Sequence, residues 1–242
     1  MSQWPVLAVG LRLQGQPVLL VGAGAVAAEK LEKLLRCGAV IDVVAPQACQ
    51  QVRQWAQDGL LRWIPRPFAA EDVAGRLMVL SATGREGVDL EVFAQCEKRH
   101  ILCNSADVPE ACTAWLMAQA QHGPLTVAVG TSGTAPGLSR RLLQEALSGL
   151  PADIADLVDR YGRLRRWVID DLAPGPSQLA GRMELLRRLA KQPWSWLRGG
   201  TADQRAELLK SWVAPATPPA QASAPPQPTE LADKNQAADQ PR

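Results

Sequence analysis

Short runs of continuous apolar residues alternate with longer amphipathic segments along about the first 150 residues of the chain. Strands buried on both faces consist of such continuous runs, whereas covering helices repeat their apolar positions with helical spacing. The runs predict strands at residues 18–21, 40–44, 60–64, 77–83, 101–104 and 125–129. Helices are predicted between them at residues 25–37, 48–58, 88–99 and 137–147. This alternation predicts an α/β fold with a parallel sheet covered by helices on both faces.

A glycine-rich turn joins the first strand to the first helix. The sequence PVLLVGAGAVAAEK contains the pattern G-x-G-x-x-A at Gly22, Gly24 and Ala27. Gly22 allows a tight turn, Gly24 lets a pyrophosphate approach the backbone, and Ala27 lets the helix pack closely on the strand. The phosphates then lie at the helix N terminus, formed by Ala25 and Val26. The pattern in this context predicts a Rossmann-like, doubly wound fold that binds a dinucleotide, rather than a tight turn without a ligand.

Small and polar residues follow two of the later strands. Thr83 and Gly84 end the fourth strand, and Asp107 comes directly after the fifth. The carboxyl ends of the strands face the cofactor crevice in a doubly wound sheet, so these residues are candidates for the site. The alternative for Asp107 is a turn or helix-cap aspartate before a proline. His100 and His122 are interpreted as solvated surface histidines.

The last third of the chain has a different pattern. Residues 151–213 are predicted to be helical only, and Trp194 and Trp196 are expected to pack in a small helical core together with Met183. Residues 214–242 are rich in Pro, Ala and Gln. They cannot bury enough apolar surface to offset chain entropy, so we expect them to be disordered.

Charge and cysteine content narrow the functional classes. The net charge of +2 gives no indication of binding to nucleic acid or to an anionic membrane surface. The five cysteines lack C-x-x-C spacing and indicate reduced, buried thiols rather than a disulfide framework or a zinc site. There is no signal-peptide pattern and no apolar run long enough to cross a bilayer. We therefore expect a cytoplasmic protein with no metal ligands of its own.

Four segments together resemble the siroheme synthase N-terminal family: PVLLVGAGAVAAEK, VVAP, LSATG and CNSADVPEACTAWLMAQAQHGPLTVAVGTSGTAPGLSRRL. That family comprises the precorrin-2 dehydrogenases, some of which are also sirohydrochlorin ferrochelatases. The most specific parts are the boxes C-N-x-x-D-x-P and A-V-x-[ST]-x-G-T-x-P-x-L-x-R. No uroporphyrinogen methyltransferase domain follows, so the chain resembles the short form. The resemblance covers about residues 1–150 and implies an NAD-binding domain (1–113) and a dimerisation and substrate-cleft segment (114–150). The helical domain (151–213) and the tail (214–242) are predicted from the pattern and composition above.

The resemblance also implies the chemistry. Precorrin-2 is oxidised to sirohydrochlorin when one hydride passes to NAD⁺ and one proton to a base, and the family's functional aspartate falls on Asp107. The adenosine end of the cofactor is expected near Pro46 and Gln47, and its nicotinamide beside Thr83 and Gly84. No Arg or Lys lies in residues 40–51 to meet a 2′-phosphate, and no carboxylate ends the second strand. We therefore expect a modest preference for NAD⁺ over NADP⁺.

The glycine-rich loop after the sixth predicted strand supplies further candidates. Thr131 falls where the family can carry a serine, with Ser132 beside it. Thr131 is interpreted either as a cap of the following helix or as a substrate contact. Arg140 and Arg141 either bind substrate carboxylates or form a solvated basic helix face. The resemblance implies a homodimer in which both chains contribute to the cleft.

Two functional classes stay open. The first is a dehydrogenase, with or without insertion of Fe²⁺ into sirohydrochlorin. The second is a regulatory protein that binds NAD or a tetrapyrrole and has kept the fold without catalysis. Asp107 beside an intact fingerprint favours the enzyme, because a sensor needs no base. The lack of a His and Cys cluster does not decide whether iron is inserted, because the macrocycle supplies nitrogen ligands to the metal.

Overall fold

The computed structural model describes residues 6–172 and 179–212. Its first five strands are β1 (Pro17–Val21), β2 (Val40–Val44), β3 (Arg62–Ile64), β4 (Met78–Ser81) and β5 (Leu102–Ser105). All neighbouring strands are parallel, in the order β3-β2-β1-β4-β5. This is the strand order of the doubly wound dinucleotide-binding fold, so the predicted fold class is confirmed.

Three helices make the connections around this sheet. They are α1 (Ala25–Arg36), α2 (Gln50–Gln57) and α3 (Glu86–Glu97), with single turns of 3-10 helix at Ala70–Val73 and Pro109–Ala111. Alternate side chains of β1 enter opposite layers of the core. Val18 and Leu20 pack with apolar residues of α1 and α2, whereas Leu19 and Val21 pack with those of α3. Each fully buried side chain of this kind stabilises the fold by about 1.5–3 kcal/mol. Because β1 contributes such side chains to both clusters, it stabilises the packing on both faces of the sheet.

The end of α1 is fixed by a local backbone motif. Gly38 has a φ of +69°, the left-handed conformation that favours glycine. Its N–H donates to the carbonyl of Leu35, and the N–H of Ala39 donates to that of Leu34. This pair of bonds is a Schellman motif, which satisfies carbonyls at the helix end that lack partners within the helix. The helix predicted over residues 25–37 thus ends within one residue of its predicted end.

The sixth predicted strand does not join the parallel sheet. The structure has β6 (Ala118–His122), which the sequence pattern missed, and β7 (Leu125–Val129), and these two pair antiparallel in a separate hairpin. Gly123, with a φ of +56°, lies in the two-residue turn between them. The helix α4 (Pro136–Ser148) packs on this hairpin. Alternate residues of β7 are half-buried and exposed, because only one face of the hairpin is covered.

The chain divides into two compact units between Ala155 and Asp156. The second unit contains most of α5 (Ile154–Trp167), a π-helical turn at Val168–Leu172, and the helices α6 (Leu179–Ala190), α7 (Trp194–Arg198) and α8 (Ala202–Ser211). Its core contains Val168, Leu185, Leu189 and Leu209, with Trp196 packed against them.

Two residues expected in that helical core lie outside it. Met183 is 60% exposed and Trp194 is 45% exposed. Apolar periodicity predicts which face of a helix is buried, but not how much of that face a neighbouring element covers. Met183 and Trp194 lie on parts of their helices that stay exposed to solvent. The predicted tail, residues 214–242, lies outside the described residues. Within the part of the chain that is described, no helix is both long and apolar enough to cross a membrane.

Candidate cofactor and substrate site

The carboxyl ends of the five parallel strands lie in one row. The register pairs Val21 with Val44 and with Ser81, Val44 with Ile64, and Ser81 with Ser105. The turns that follow β1, β2, β4 and β5 therefore emerge at the same edge of the sheet. In doubly wound folds this edge forms the ligand crevice.

The turn after β1 has the shape that a dinucleotide requires. Gly22 has a φ of +103°, and a Cβ there would overlap the carbonyl oxygen of Ala82 in the turn after β4. Gly24 is the N-cap of α1, and no described atom lies within 4 Å of where its Cβ would be. Among the described residues, no side chain caps this helix end, which begins with Ala25 and Val26. The open space and the uncapped N–H groups fit a pyrophosphate.

The turn after β2 lies against this glycine loop. The N–H of Cys49 donates to the carbonyl of Ala23 at 2.9 Å. Pro46 and Gln47 are exposed in this turn, at the side of the crevice where an adenosine is bound in this fold. Ala45, just before them, is buried in the core beside α2. The predicted lack of a carboxylate here holds in the structure, since residues 43–48 are all uncharged.

Asp42, the acidic residue within β2, forms ion pairs inside the fold instead of facing the crevice. It is 6% exposed in the middle of β2 and accepts hydrogen bonds from Arg62 at 2.9 and 2.5 Å and from Arg76 at 2.6 Å. Burial by itself raises the pKa of the Asp42 carboxyl, but the hydrogen bonds from the two guanidinium groups outweigh it and the pKa is lowered. Asp42 is therefore a paired structural carboxylate, unavailable to a ribose.

The turn after β4 is fastened by a buried carboxylate that sequence reasoning missed. Asp89 of α3 is 1% exposed, and its Oδ1 accepts hydrogen bonds from the hydroxyls of Ser81 and Thr83. The Thr83 hydroxyl also accepts from the N–H of Arg85 at 3.0 Å. The hydroxyl of Thr83 is thus committed within the turn, and only its backbone and methyl group are left to flank a ligand. Gly84 follows with a φ of +66°.

A cavity of about 300 Å³ brings Gly84 and Asp107 together. Its other lining residues are Glu86, Asp89, Val108 and Glu110. Asp107 is exposed and forms no hydrogen bond or ion pair with another described residue, so its carboxylate is free for a ligand. Within the described chain, the Oδ2 of Asp89 is buried without a hydrogen-bond partner. The cavity therefore combines four carboxylates, none of which is ion-paired to a described residue.

The segment that carries Asp107 is anchored at both ends. The thiol of Cys112 accepts from the N–H of Ser105 at 3.1 Å, and its single proton is shared between the carbonyls of Ser105 and Val108. Burial raises the pKa of this thiol, which keeps it protonated and able to donate. Thr113 adds a bond, since its hydroxyl accepts from the N–H of Cys103 at 2.8 Å. This closed loop holds Asp107 at the rim of the sheet.

Lys30 of α1 supports the same segment and was also missed. Its ammonium donates to the Oδ1 of Asn104 at 3.1 Å, and the Nδ2 of Asn104 donates to the carbonyl of Ala114 at 3.0 Å. Burial lowers the pKa of Lys30, and the charge of Asp107 acts in the opposite direction. A cation thus lies within electrostatic range of Asp107, one helical turn beyond the glycine loop. No sequence motif marked Lys30, because its neighbours come from a distant strand.

The candidates in the later glycine-rich loop lie apart from this cavity. The hydroxyl of Thr131 accepts from the N–H of Ala135 at 3.2 Å and shares a hydrogen bond with Ser139. Ser132 has a φ of +50°. Arg141 is exposed and pairs with Glu145 at 2.8 Å within α4, and Arg140 is exposed beside it. None of Thr131, Ser132, Arg140 and Arg141 lines the cavity beside Asp107.

In the described ranges, no group of three or more His, Cys, Asp or Glu side chains has an arrangement that could hold a metal ion. The buried Oδ2 of Asp89, which has no hydrogen-bond partner among the described residues, and the exposed carboxylate of Asp107 instead suit a cavity that receives hydrogen-bond donors or positive charge from a ligand.

Comparisons with known proteins agree with this geometry. Residues 9–118 match a family model described as "Putative NAD(P)-binding". Siroheme synthase 1 of Serratia proteamaculans is 37% identical over 153 residues, or 63% of this chain and 32% of that protein. The chain therefore spans about a third of the length of these longer relatives. The solved structure of SirC, a precorrin-2 dehydrogenase, matches with a TM-score of 0.66 at 24% identity and covers 86% of this chain and 98% of its own.

One shorter relative is matched over most of its own sequence. Siroheme biosynthesis protein met8 of Schizosaccharomyces pombe is 30% identical over 192 residues, which are 78% of this chain and 72% of that protein. The match extends beyond the NAD(P)-binding model, so it includes residues outside the parallel sheet. Together with the fingerprint and the shared fold, this similarity shows that the chain belongs to the siroheme synthase N-terminal family.

Proposed function

We propose that this protein oxidises precorrin-2 to sirohydrochlorin with NAD⁺ as the hydride acceptor. The observation that supports this most directly is the cavity shared by Gly84 and Asp107, at the same sheet edge as the open glycine loop. An uncommitted carboxylate beside a cofactor-binding turn is what an oxidation that also releases a proton requires. The relatives named siroheme synthase and siroheme biosynthesis protein, and the fold of SirC, support this substrate class.

The chain's own residues account for holding the cofactor. Gly24 leaves room for the pyrophosphate, and the N–H groups of Ala25 and Val26 face it at the helix N terminus. Pro46 and Gln47 border the adenosine side, and Thr83 and Gly84 the opposite side. When bound, NAD⁺ supplies an acceptor for the hydride that leaves the substrate.

Asp107 takes the proton. In its ionised form the carboxylate is acceptor-only, so it can abstract a proton from the substrate or stabilise positive charge that develops as hydride leaves. The bonds from Cys112 and Asn104 behind it fix the position of its segment. Lys30, held against Asn104, braces the same segment from α1.

Insertion of Fe²⁺ into sirohydrochlorin is a second candidate activity of the same site. Four carboxylates line the cavity, at Glu86, Asp89, Asp107 and Glu110. Such a field of one sign concentrates cations at a cleft. An acceptor there would also take the protons that the pyrrole nitrogens lose when a metal enters.

The remaining parts of the proposal follow from the family. We propose a cytoplasmic homodimer in which the hairpin β6–β7 and α4 contribute to the subunit interface, with Thr131, Ser132, Arg140 and Arg141 contacting substrate from this segment. The five cysteines are all free thiols, as in a reducing compartment. Arg140 is the better carboxylate ligand of the pair, because Arg141 is already engaged by Glu145.

The test is turnover by the wild-type protein. Purified protein, NAD⁺ and precorrin-2 are mixed, and sirohydrochlorin and NADH are followed by their absorbance. We expect equal amounts of both products. Binding of NAD⁺ and precorrin-2 without turnover would instead identify a regulatory protein that kept the fold. A separate incubation with sirohydrochlorin and Fe²⁺, corrected for the rate without protein, tests iron insertion.

A further inference from the structure

The side chain of Arg53 returns to the turn that precedes its helix. Arg53 is the fourth residue of α2, and its Nη1 donates to the carbonyl of Ala48 at 2.6 Å. Ala48 lies in the turn after β2, directly before the N-cap residue Cys49. The guanidinium is therefore at the sheet edge that carries the crevice, although its residue lies beyond the turn in sequence.

This turn is the one that determines which ribose a dinucleotide site accepts. An acidic residue at the end of β2 binds the 2′-hydroxyl of NAD, whereas a nearby arginine accommodates the 2′-phosphate of NADP. The chain has no acid at this end, where Val44 is followed by Ala45, Pro46 and Gln47. The hydrogen bond from Cys49 to Ala23 holds the turn against the glycine loop, so the two parts of such a site are adjacent.

The charge of Arg53 is available for an anion. Its side chain is exposed, and within the described residues it forms no ion pair. One of the five N–H donors of the guanidinium is used in the hydrogen bond to the carbonyl of Ala48. The other donors of this planar group are available to bind a phosphate.

We propose that Arg53 forms a subsite for a phosphate monoester, the 2′-phosphate of NADP⁺, so that the protein accepts NADP⁺ as well as NAD⁺. The inference rests on the proposed function only in that a dinucleotide binds at the glycine loop. Such a subsite would offset the preference for NAD⁺ that is expected from residues 40–51, which contain no Arg or Lys. Because a side chain in the first turn of a helix points back toward the N terminus, a residue just beyond that range reaches the same turn.

The experiment measures dissociation constants of NAD⁺, NADP⁺, 5′-AMP and adenosine 2′,5′-bisphosphate for the wild-type protein and for Arg53→Gln. We expect wild type to bind NADP⁺ within about tenfold of NAD⁺. In Arg53→Gln the affinity for NADP⁺ and for the bisphosphate should fall by about tenfold or more, which corresponds to one lost charge-assisted hydrogen bond. NAD⁺ and 5′-AMP should bind as before.

Two further variants make the result specific. Arg99→Gln removes an exposed arginine just after α3 whose side chain hydrogen-bonds to Gln95, and it should change none of the four constants. Arg53→Lys keeps the positive charge but loses the planar guanidinium that can donate two hydrogen bonds to one phosphate, so it should retain part of the NADP⁺ affinity.

The outcomes separate the inference from the proposed function. Equal losses of NAD⁺ and NADP⁺ in Arg53→Gln would reduce Arg53 to a structural support of the turn and overturn the inference. Unchanged NADP⁺ affinity in that variant would overturn it as well. If wild-type protein bound neither dinucleotide, the proposed function would fail together with the inference.

Discussion

A single carboxylate, Asp42, and a group of four carboxylates have opposite surroundings, although all lie in the first compact unit. Asp42, in the middle of β2, is buried and accepts three hydrogen bonds from Arg62 and Arg76. The cavity at the carboxyl ends of β4 and β5 instead contains four carboxylates, and none forms an ion pair with a described residue. Negative charge is thus ion-paired within the sheet, whereas at the edge proposed to bind ligands it is not paired to any described residue. Substitutions at the two places should accordingly affect different properties.

The largest effect is expected at the cavity. Asp107→Asn keeps the size of the side chain but removes both the base and the negative charge. We expect kcat for precorrin-2 oxidation to fall by about 10²–10⁴, the usual contribution of a positioned general base, while NAD⁺ affinity stays unchanged. Steady-state kinetics with a parallel NAD⁺ titration measure both quantities. A near-normal kcat would remove Asp107 from the mechanism.

The next largest effect concerns the cofactor. Gly24→Asp introduces a side chain and a negative charge into the open space at the N terminus of α1. Like charges placed together cost several kcal/mol, so NAD⁺ affinity should fall more than about 10²-fold. Gly162→Asp in α5 is the matched control, since no described atom lies within 4 Å of its Cβ position either. Unaltered NAD⁺ binding by Gly24→Asp, measured by calorimetry, would exclude this loop as the pyrophosphate site.

At Asp42 the expected effect is on stability. Asp42→Asn leaves the half-buried Arg76 without its charged partner, and we expect a loss of about 3 kcal/mol in the free energy of unfolding. Glu32→Gln breaks an exposed ion pair with Arg36 and should cost less than about 1 kcal/mol. Urea denaturation compares the variants. A loss of activity in Asp42→Asn at temperatures where the protein stays folded would contradict the purely structural role.

The smallest effect is the dependence of that stability on pH. The pKa of Asp42 is lowered in the folded protein, so the carboxylate contributes stability that is fully present above its unfolded value of about 3.9. This contribution is lost as the pH falls through the folded pKa. The difference in unfolding free energy between wild type and Asp42→Asn should thus be constant near neutral pH and shrink below about pH 4. A difference that grew on acidification would have the wrong sign.

Much of the sheet and the glycine loop could be predicted from the sequence because their signals are local. Apolar runs mark β1, β4 and, interrupted only by Asp42, β2, and Gly22 occurs where a Cβ would overlap the carbonyl oxygen of Ala82. The hairpin was mispredicted for the opposite reason. β6 reads AQAQH, with small and polar residues and no apolar run, so its strand conformation depends on pairing with β7.

The supporting residues of the site could not be read from the sequence. Asp89 is recognisable only when α3 folds its carboxylate onto Ser81 and Thr83. Lys30 is 74 residues from its partner Asn104. Arg53 is separated by only a few residues from the turn it reaches, but the direction of its side chain becomes apparent only in the helix. Asp107 is a candidate from the sequence alone because a specific motif marks it, and its role stays a prediction.

The most direct measurement compares one substitution in the cavity with one at Asp42, for both activity and stability. Turnover of precorrin-2 and thermal melting are recorded on the same preparations of wild type, Asp107→Asn and Asp42→Asn. We predict that Asp107→Asn melts within a degree or two of wild type, about the shift of an exposed substitution, and has lost nearly all turnover. Asp42→Asn should melt several degrees lower and turn over normally while folded. Normal turnover in Asp107→Asn combined with a lowered melting temperature would make Asp107 a turn residue and contradict the account.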